Sequence, residues 1–186
     1  MKLPIVKPLR LLNVILSLTI FVVLFINRDR FIAMLHPKAK EAVGIPAPDI
    51  DGGVWINSTP LSLYQLRGKV VVIDFWSFKC DNCLHVLPTL RDWYKRYNDK
   101  GVVFIGVHTP ETNEEKNVLS LQRFVGAHGI EFPVVTDNSY ATWNLYHVQF
   151  WPSTFIIDRQ GVIRKFHYGE LGFSLLEDDI KRLLGS

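Results

Sequence analysis

Val70-Val71-Val72-Ile73-Asp74-Phe75-Trp76-Ser77-Phe78-Lys79-Cys80-Asp81-Asn82-Cys83 is the stretch that decides the fold. Residues 70–76 are apolar except for Asp74, as expected of a strand covered on both faces. From Cys83 to about Tyr97 the apolar residues recur at helical spacing, so a strand hands over to a helix. The chain's two cysteines sit at that junction. Unpaired N–H groups and the helix dipole stabilise a thiolate there, and Cys83 lies one turn on, close enough to form a ring with Cys80. The arrangement points to reversible disulfide chemistry.

Working outward, Val102–Val107 reads as a second apolar strand and completes a β-α-β unit. Upstream, Trp55–Ser58 with Leu61–Leu63 predicts a short strand or hairpin, and Tyr64–Lys69 a turn. Downstream, Glu114 to about His128 predicts a helix, Phe132–Thr136 a short strand and Tyr140–Tyr146 a further helix. Phe155–Asp158 and Val162–Phe166 flank the turn Arg159-Gln160-Gly161 as a hairpin. Phe173–Leu184 is an amphipathic terminal helix. The order describes an α/β fold, a mixed sheet flanked by helices.

The chain has 186 residues, 48% apolar and 12% aromatic, which places it in the globular class. The net charge of +3 is unevenly spread: residues 1–40 carry +6 and the remainder −3. The basicity belongs to the N-terminus, and the domain shows no footprint for nucleic acid. Two cysteines in one CxxC leave none for a structural disulfide framework.

Leu9–Ile26 is almost wholly apolar on all sides. As a helix it spans about 27 Å, close to the hydrocarbon thickness of a bilayer. A cleavable signal peptide is the alternative, but its apolar core is shorter and small residues follow it; here Asn27-Arg28-Asp29-Arg30-Phe31 follows. Lys2, Lys7 and Arg10 favour a cytoplasmic N-terminus. The expected organisation is a cytoplasmic N-terminus at 1–8, a transmembrane anchor at 9–26, a tether at 27–45 and an extracytoplasmic domain at 46–186.

The element order with CxxC after the first central strand resembles the thioredoxin fold. Asp74 stands six residues before Cys80, Phe75-Trp76 match the aromatic pair before the motif, and Pro88 lies five past Cys83. Trp151-Pro152-Ser153-Thr154-Phe155 resembles the loop whose proline is cis and faces the dithiol. The segment 108–136 is similar to the insertion of the TlpA/ResA-like branch of the thioredoxin-like superfamily. Gly106–Glu111, Asp137–Ala141 and Trp151-Pro152 are closer still to the thioredoxin domain of DipZ-type proteins. The resemblance covers about 45–184. Lys79 and Asp81-Asn82 depart from thioredoxin's Trp and Gly-Pro, so a redox potential does not carry over. The multi-span electron-transfer module of full DipZ-type proteins is absent from this sequence.

The resemblance implies a membrane-tethered protein thiol–disulfide oxidoreductase that needs no bound cofactor. Cys80 is its nucleophile and Cys83 the resolving thiol. Asp74 would accept the Cys83 proton, the alternative being an acid at a strand surface. Pro152, Trp151 and Trp76 would form the substrate groove, although aromatics are more often core. Glu111, read as ending the second strand, matches an acid that tunes the cysteines in the TlpA/ResA branch. Asp81 and Glu111 would disfavour thiolate, with Lys79 pulling the other way, and make the dithiol a reductant, with a protein disulfide or dithiol as substrate and a DipZ-type membrane donor as electron partner. Structural zinc wants four ligands where one pair stands, and His85 falls outside the haem pattern. A rival is a copper-handling or metalloprotein-assembly module using Cys80, Cys83 and His108 as ligands. A peroxide-reducing enzyme is a third reading, with Ser77 three residues before Cys80.

Overall fold

The apolar run forms a seven-residue strand, Val70–Trp76, buried along its whole length. It is central to a six-stranded mixed sheet in this computed structural model, which describes residues 41–185. Numbered along the chain, the strands are β1 (Trp55–Ile56), β2 (Val70–Trp76), β3 (Val102–His108), β4 (Val134–Thr136), β5 (Ser153–Ile157) and β6 (Ile163–Tyr168). Their spatial order is β1-β4-β3-β2-β5-β6. β2, β3 and β4 run parallel, whereas β5 is antiparallel to β2, β6 to β5 and β1 to β4. The helices are α1 (Asp81–Tyr97), α2 (Val118–Ala127), α3 (Ala141–Leu145) and α4 (Leu176–Leu184).

Period-two alternation divides β2 between two cores. Val70, Val72 and Trp76 pack with Cys80, Cys83, Leu87 and Trp93, and with buried residues of α2 and α4. Val71, Ile73 and Phe75 pack on the other face with Trp143, Tyr146 and Phe155. The same alternation places Asp74 on the face that carries the cysteines. Register sets Asp74 beside Gly106 on β3 and Thr154 on β5. Gly106 is required by close approach: a Cβ there would lie 2.8 Å from Trp76 Nε1 and 3.0 Å from Phe132 Cε2.

Several elements differ from the sequence reading, each for a local reason. Upstream, only Trp55–Ile56 forms a strand, paired with Val134–Val135. Leu61–Leu63 does not; the Leu63 N–H instead donates to Asp49 Oδ1 at 2.8 Å as the chain enters its turn. The helix expected from Glu114 is split into a 3₁₀ turn, Asn113–Lys116, and α2. Asn117 causes the break, because its Oδ1 accepts the Ser120 N–H at 3.0 Å and caps a new helix. β3 ends at His108, so Glu111 lies in the following loop and not at the strand end. The expected anchor at 9–26 and most of the tether fall outside the described residues. Among the described residues no helix is long and apolar enough to cross a membrane.

Candidate functional site

Cys80 is the N-cap of α1, with extended backbone (φ −84°, ψ 108°), and its Sγ accepts the Cys83 N–H at 3.3 Å. A sulfur in the N-cap position occupies the place where an anion is best stabilised, by an orphan N–H and by the positive end of the helix. Cys80 and Cys83 are joined as a disulfide, with their Cα atoms 5.3 Å apart. Cys80 is the more accessible of the two, at 8% against 3%. This asymmetry suits Cys80 to meet a client and Cys83 to resolve. Asp81 and Asn82 are exposed beside the pair.

Asp74 is buried, and its Oδ1 accepts the Thr154 hydroxyl at 2.6 Å. Loss of water pushes its carboxyl up to about 7, against the lowering effect of that hydrogen bond. The result is a proton-exchanging group at neutral pH on the cysteine side of the sheet. Thr154 was legible as part of the Trp151–Phe155 loop; its partnership with Asp74 follows only from the antiparallel register.

The Trp151–Pro152 bond is cis. Trp151 is half-buried; its Nε1 donates to Thr109 O at 3.0 Å, and its ring lies 4.3 Å from that of Trp143. Pro152 O accepts the Gly169 N–H at 2.8 Å. Trp76 is only 3% exposed and packs against His108 and Phe124. It therefore supports the site from below and offers a client no open face.

The exposed Glu111 has its carboxyl raised by partial desolvation and by the neighbouring Glu115 and Asp81. Its backbone N–H donates to Glu115 Oε2 at 2.8 Å. Glu115, passed over in the sequence reading, is the buried acid of this region, at 1% exposure. Its Oε1 accepts the Ser77 hydroxyl at 2.6 Å and the Lys79 N–H at 3.2 Å; its Oε2 also accepts the Thr112 N–H at 3.0 Å. Those donors outweigh burial and hold the carboxyl below its ordinary range. The signal for it was present: Thr112-x-x-Glu115 is a capping-box pattern, and the box forms.

His108 is fully buried, 3.5 Å through Nε2 from Glu115 Oε1, with its ring stacked on Phe78. Neither ring nitrogen has a hydrogen-bond partner, and desolvation pulls the imidazole down to about 4, so it is neutral. His85 is exposed and pairs with Glu170 at 2.7 Å. No group of three or more His, Cys, Asp or Glu side chains among the described residues is placed to hold a metal ion.

The sequence and the fold have relatives among known proteins. The chain is 40% identical over 142 residues to protein DipZ of Mycobacterium tuberculosis, covering 74% of this chain but only 20% of DipZ. It thus spans about a fifth of that relative's length. It is 28% identical over 170 residues to the thiol-disulfide oxidoreductase ResA of Halalkalibacterium halodurans, covering 91% of this chain and 88% of ResA. The crystal structure of the thioredoxin-like superfamily protein SPOA0173 superposes with a TM-score of 0.72 at 33% identity, over 76% of this chain and 97% of that one. Residues 43–166, from the approach to β1 through the dithiol to β6, match the AhpC/TSA family, and with a thioredoxin-like sheet presenting a CxxC dithiol at the head of α1, the chain belongs to that family.

Proposed function

We propose that the protein is a membrane-tethered thiol–disulfide oxidoreductase that reduces protein disulfides outside the cytoplasm. The observation that carries this reading is the position of Cys80: N-cap of α1, bonded to Cys83 and more accessible than it. In the reduced protein the Cys80 thiolate attacks a client disulfide. A Cys80–client bond forms and one client sulfur leaves as thiolate. Asp74, poised near neutrality, takes the Cys83 proton. Cys83 then attacks Cys80 Sγ, the mixed disulfide breaks and the second client sulfur leaves. Two electrons have passed to the client, and the Cys80–Cys83 disulfide has formed. A dithiol donor must reduce it again; a membrane protein of the DipZ type fits that role.

The loop at Trp151–Pro152 serves as the docking edge, where an extended client pairs with the backbone. The apolar run at 9–26, with basic residues before it, supports the anchor and the outward orientation. The reducing direction rests on the acids near the motif, Asp81 and Glu111, which oppose thiolate and favour the disulfide form. The Ser77 hydroxyl is committed to Glu115, which leaves it unavailable to activate a peroxide.

A Cys83→Ser variant tests the mechanism. In cells it should accumulate a disulfide-linked adduct through Cys80, and the purified variant should lose insulin-type reduction. Full activity without any adduct would refute the reading. A midpoint potential near the −120 mV of strong oxidants would refute the reducing direction. Stoichiometric tight copper binding with no disulfide reduction would favour the assembly-module reading instead.

A further inference from the structure

Glu115 lies on the 3₁₀ turn of the insertion, far in sequence from the dithiol, yet it is bonded to the segment that delivers Cys80. One oxygen holds the Ser77 hydroxyl and the Lys79 N–H; the other holds the N–H groups of Glu111 and Thr112. The Cys80 N–H in turn donates to Ser77 O at 3.4 Å. One carboxylate therefore joins two loops, 77–79 and 111–112, at the end of the sheet that carries the cysteines.

We propose that Glu115 is a positioning residue for the dithiol. Its carboxylate fixes the Ser77–Lys79 segment behind Cys80, and its permanent charge biases the couple toward the disulfide.

The charge is permanent because its oxygens face donors rather than water. The groups around it do not cancel it. His108 on β3 is buried without hydrogen-bond partners and neutral. The Tyr140 hydroxyl donates to Pro110 O and is uncharged. Lys79 directs its ammonium to Glu114, 3.9 Å away. Asp81 and Glu111 add charge of the same sign. Backbone geometry sets the range: Lys79 N is 3.2 Å from the carboxylate, and Cys80 is the next residue along, so its sulfur lies at most roughly 10 Å away. At that range a unit charge moves a titration by about 0.3 to 1.2 pH units for effective dielectrics between about 80 and 20. The effect is to keep Cys80 less ionised and the dithiol a stronger donor.

This inference rests on the oxidoreductase reading, and the experiment separates the two. The full chain is equilibrated with reduced and oxidised glutathione, in which two glutathione thiols and the protein disulfide exchange with glutathione disulfide and the protein dithiol. The Cys80 thiolate is titrated by its alkylation rate against pH. If the wild-type chain forms no reversible couple, the oxidoreductase reading fails. If it does, Glu115→Gln should lower the thiolate midpoint by about 0.3 or more and, at a pH above that midpoint, shift the equilibrium at least twofold toward the dithiol, about 9 mV. A folded Glu115→Gln protein with wild-type values for both overturns the proposal, because a purely structural role would alter only stability. If that variant does not fold, the wild-type chain carries the test. The carboxyl carbon resonance of Glu115 should step at the Cys80 midpoint in the reduced protein, and a flat resonance through that range overturns the proposal.

Discussion

Asp74→Asn should make the folded protein increasingly more stable than wild type as pH rises, since it removes a carboxylate that is costly to ionise where it sits. Asp74 titrates near 7 in the folded chain and at an ordinary 3.8 when exposed. A folded-state value raised above the unfolded one means that the native protein holds its proton more tightly. The associated stability is complete below pH 3.8 and is lost progressively until pH passes about 7. At 1.36 kcal/mol per pH unit the total loss is about 4 kcal/mol. Asn keeps an oxygen for the Thr154 hydroxyl, now 2.6 Å from Asp74 Oδ1, so the substitution removes the charge with little disturbance of packing. Less than half of the loss has accrued by pH 5 and the rest by pH 9. The difference in unfolding free energy between variant and wild type should therefore widen by roughly 2–3 kcal/mol from pH 5 to pH 9. Urea titrations of the oxidised full chain at each pH measure it, and with the disulfide closed no thiol titrates in that range. Parallel stability curves for the two proteins would refute both the burial of the charge and the use of Asp74 as the acceptor for the Cys83 proton.

Thr154→Val removes the one hydrogen bond that lowers the Asp74 carboxyl, so the inflection in the same stability profile should move upward in pH; an unmoved inflection would contradict the pairing. Gly106→Ala forces a methyl group against Trp76 Nε1 and Phe132 and should destabilise the fold by about 1–3 kcal/mol, read as a lower urea midpoint. Cys80→Ser should abolish disulfide reduction while leaving the far-UV spectrum intact, whereas retained turnover would reassign the nucleophile.

The central β-α-β unit was legible because burial on both faces leaves an unmistakable apolar run, and because a dithiol at a helix start has a chemical reason to be there. Val70–Trp76 matches the expected strand without adjustment, and Val102–His108 is longer than expected by one residue. The insertion was less legible. Periodicity alone joined Glu114 to His128, whereas the Asn117 side chain competes for backbone donors and starts a second helix. The site was legible where residues are neighbours in sequence and opaque where they meet across the sheet. Asp74 and Thr154 are 80 positions apart, and Ser77 and Glu115 are 38 apart. Glu111 drew attention as the acid nearest the strand end, although the buried carboxylate is four residues on, inside a capping box that the sequence displayed.

The two buried acids of this site carry the same functional group and are set to opposite tasks by their donors. Asp74 faces one hydroxyl in an apolar layer, so desolvation prevails and its proton is held to about neutral pH. Glu115 is as deeply buried but is met by Ser77, Lys79, Glu111 and Thr112, so the hydrogen bonds prevail and it stays ionised. The first can exchange a proton in each redox cycle; the second cannot without releasing two loops. Under the proposed mechanism the dithiol must both ionise and remain a good electron donor, which calls for both behaviours: a proton held near neutral pH on the cysteine face of the sheet and a fixed charge behind Cys80. The sheet supplies the first through the register of β2 and β5. The insertion supplies the second through its 3₁₀ turn, which gives that added segment a chemical reason to lie against the end of the sheet where Cys80 emerges.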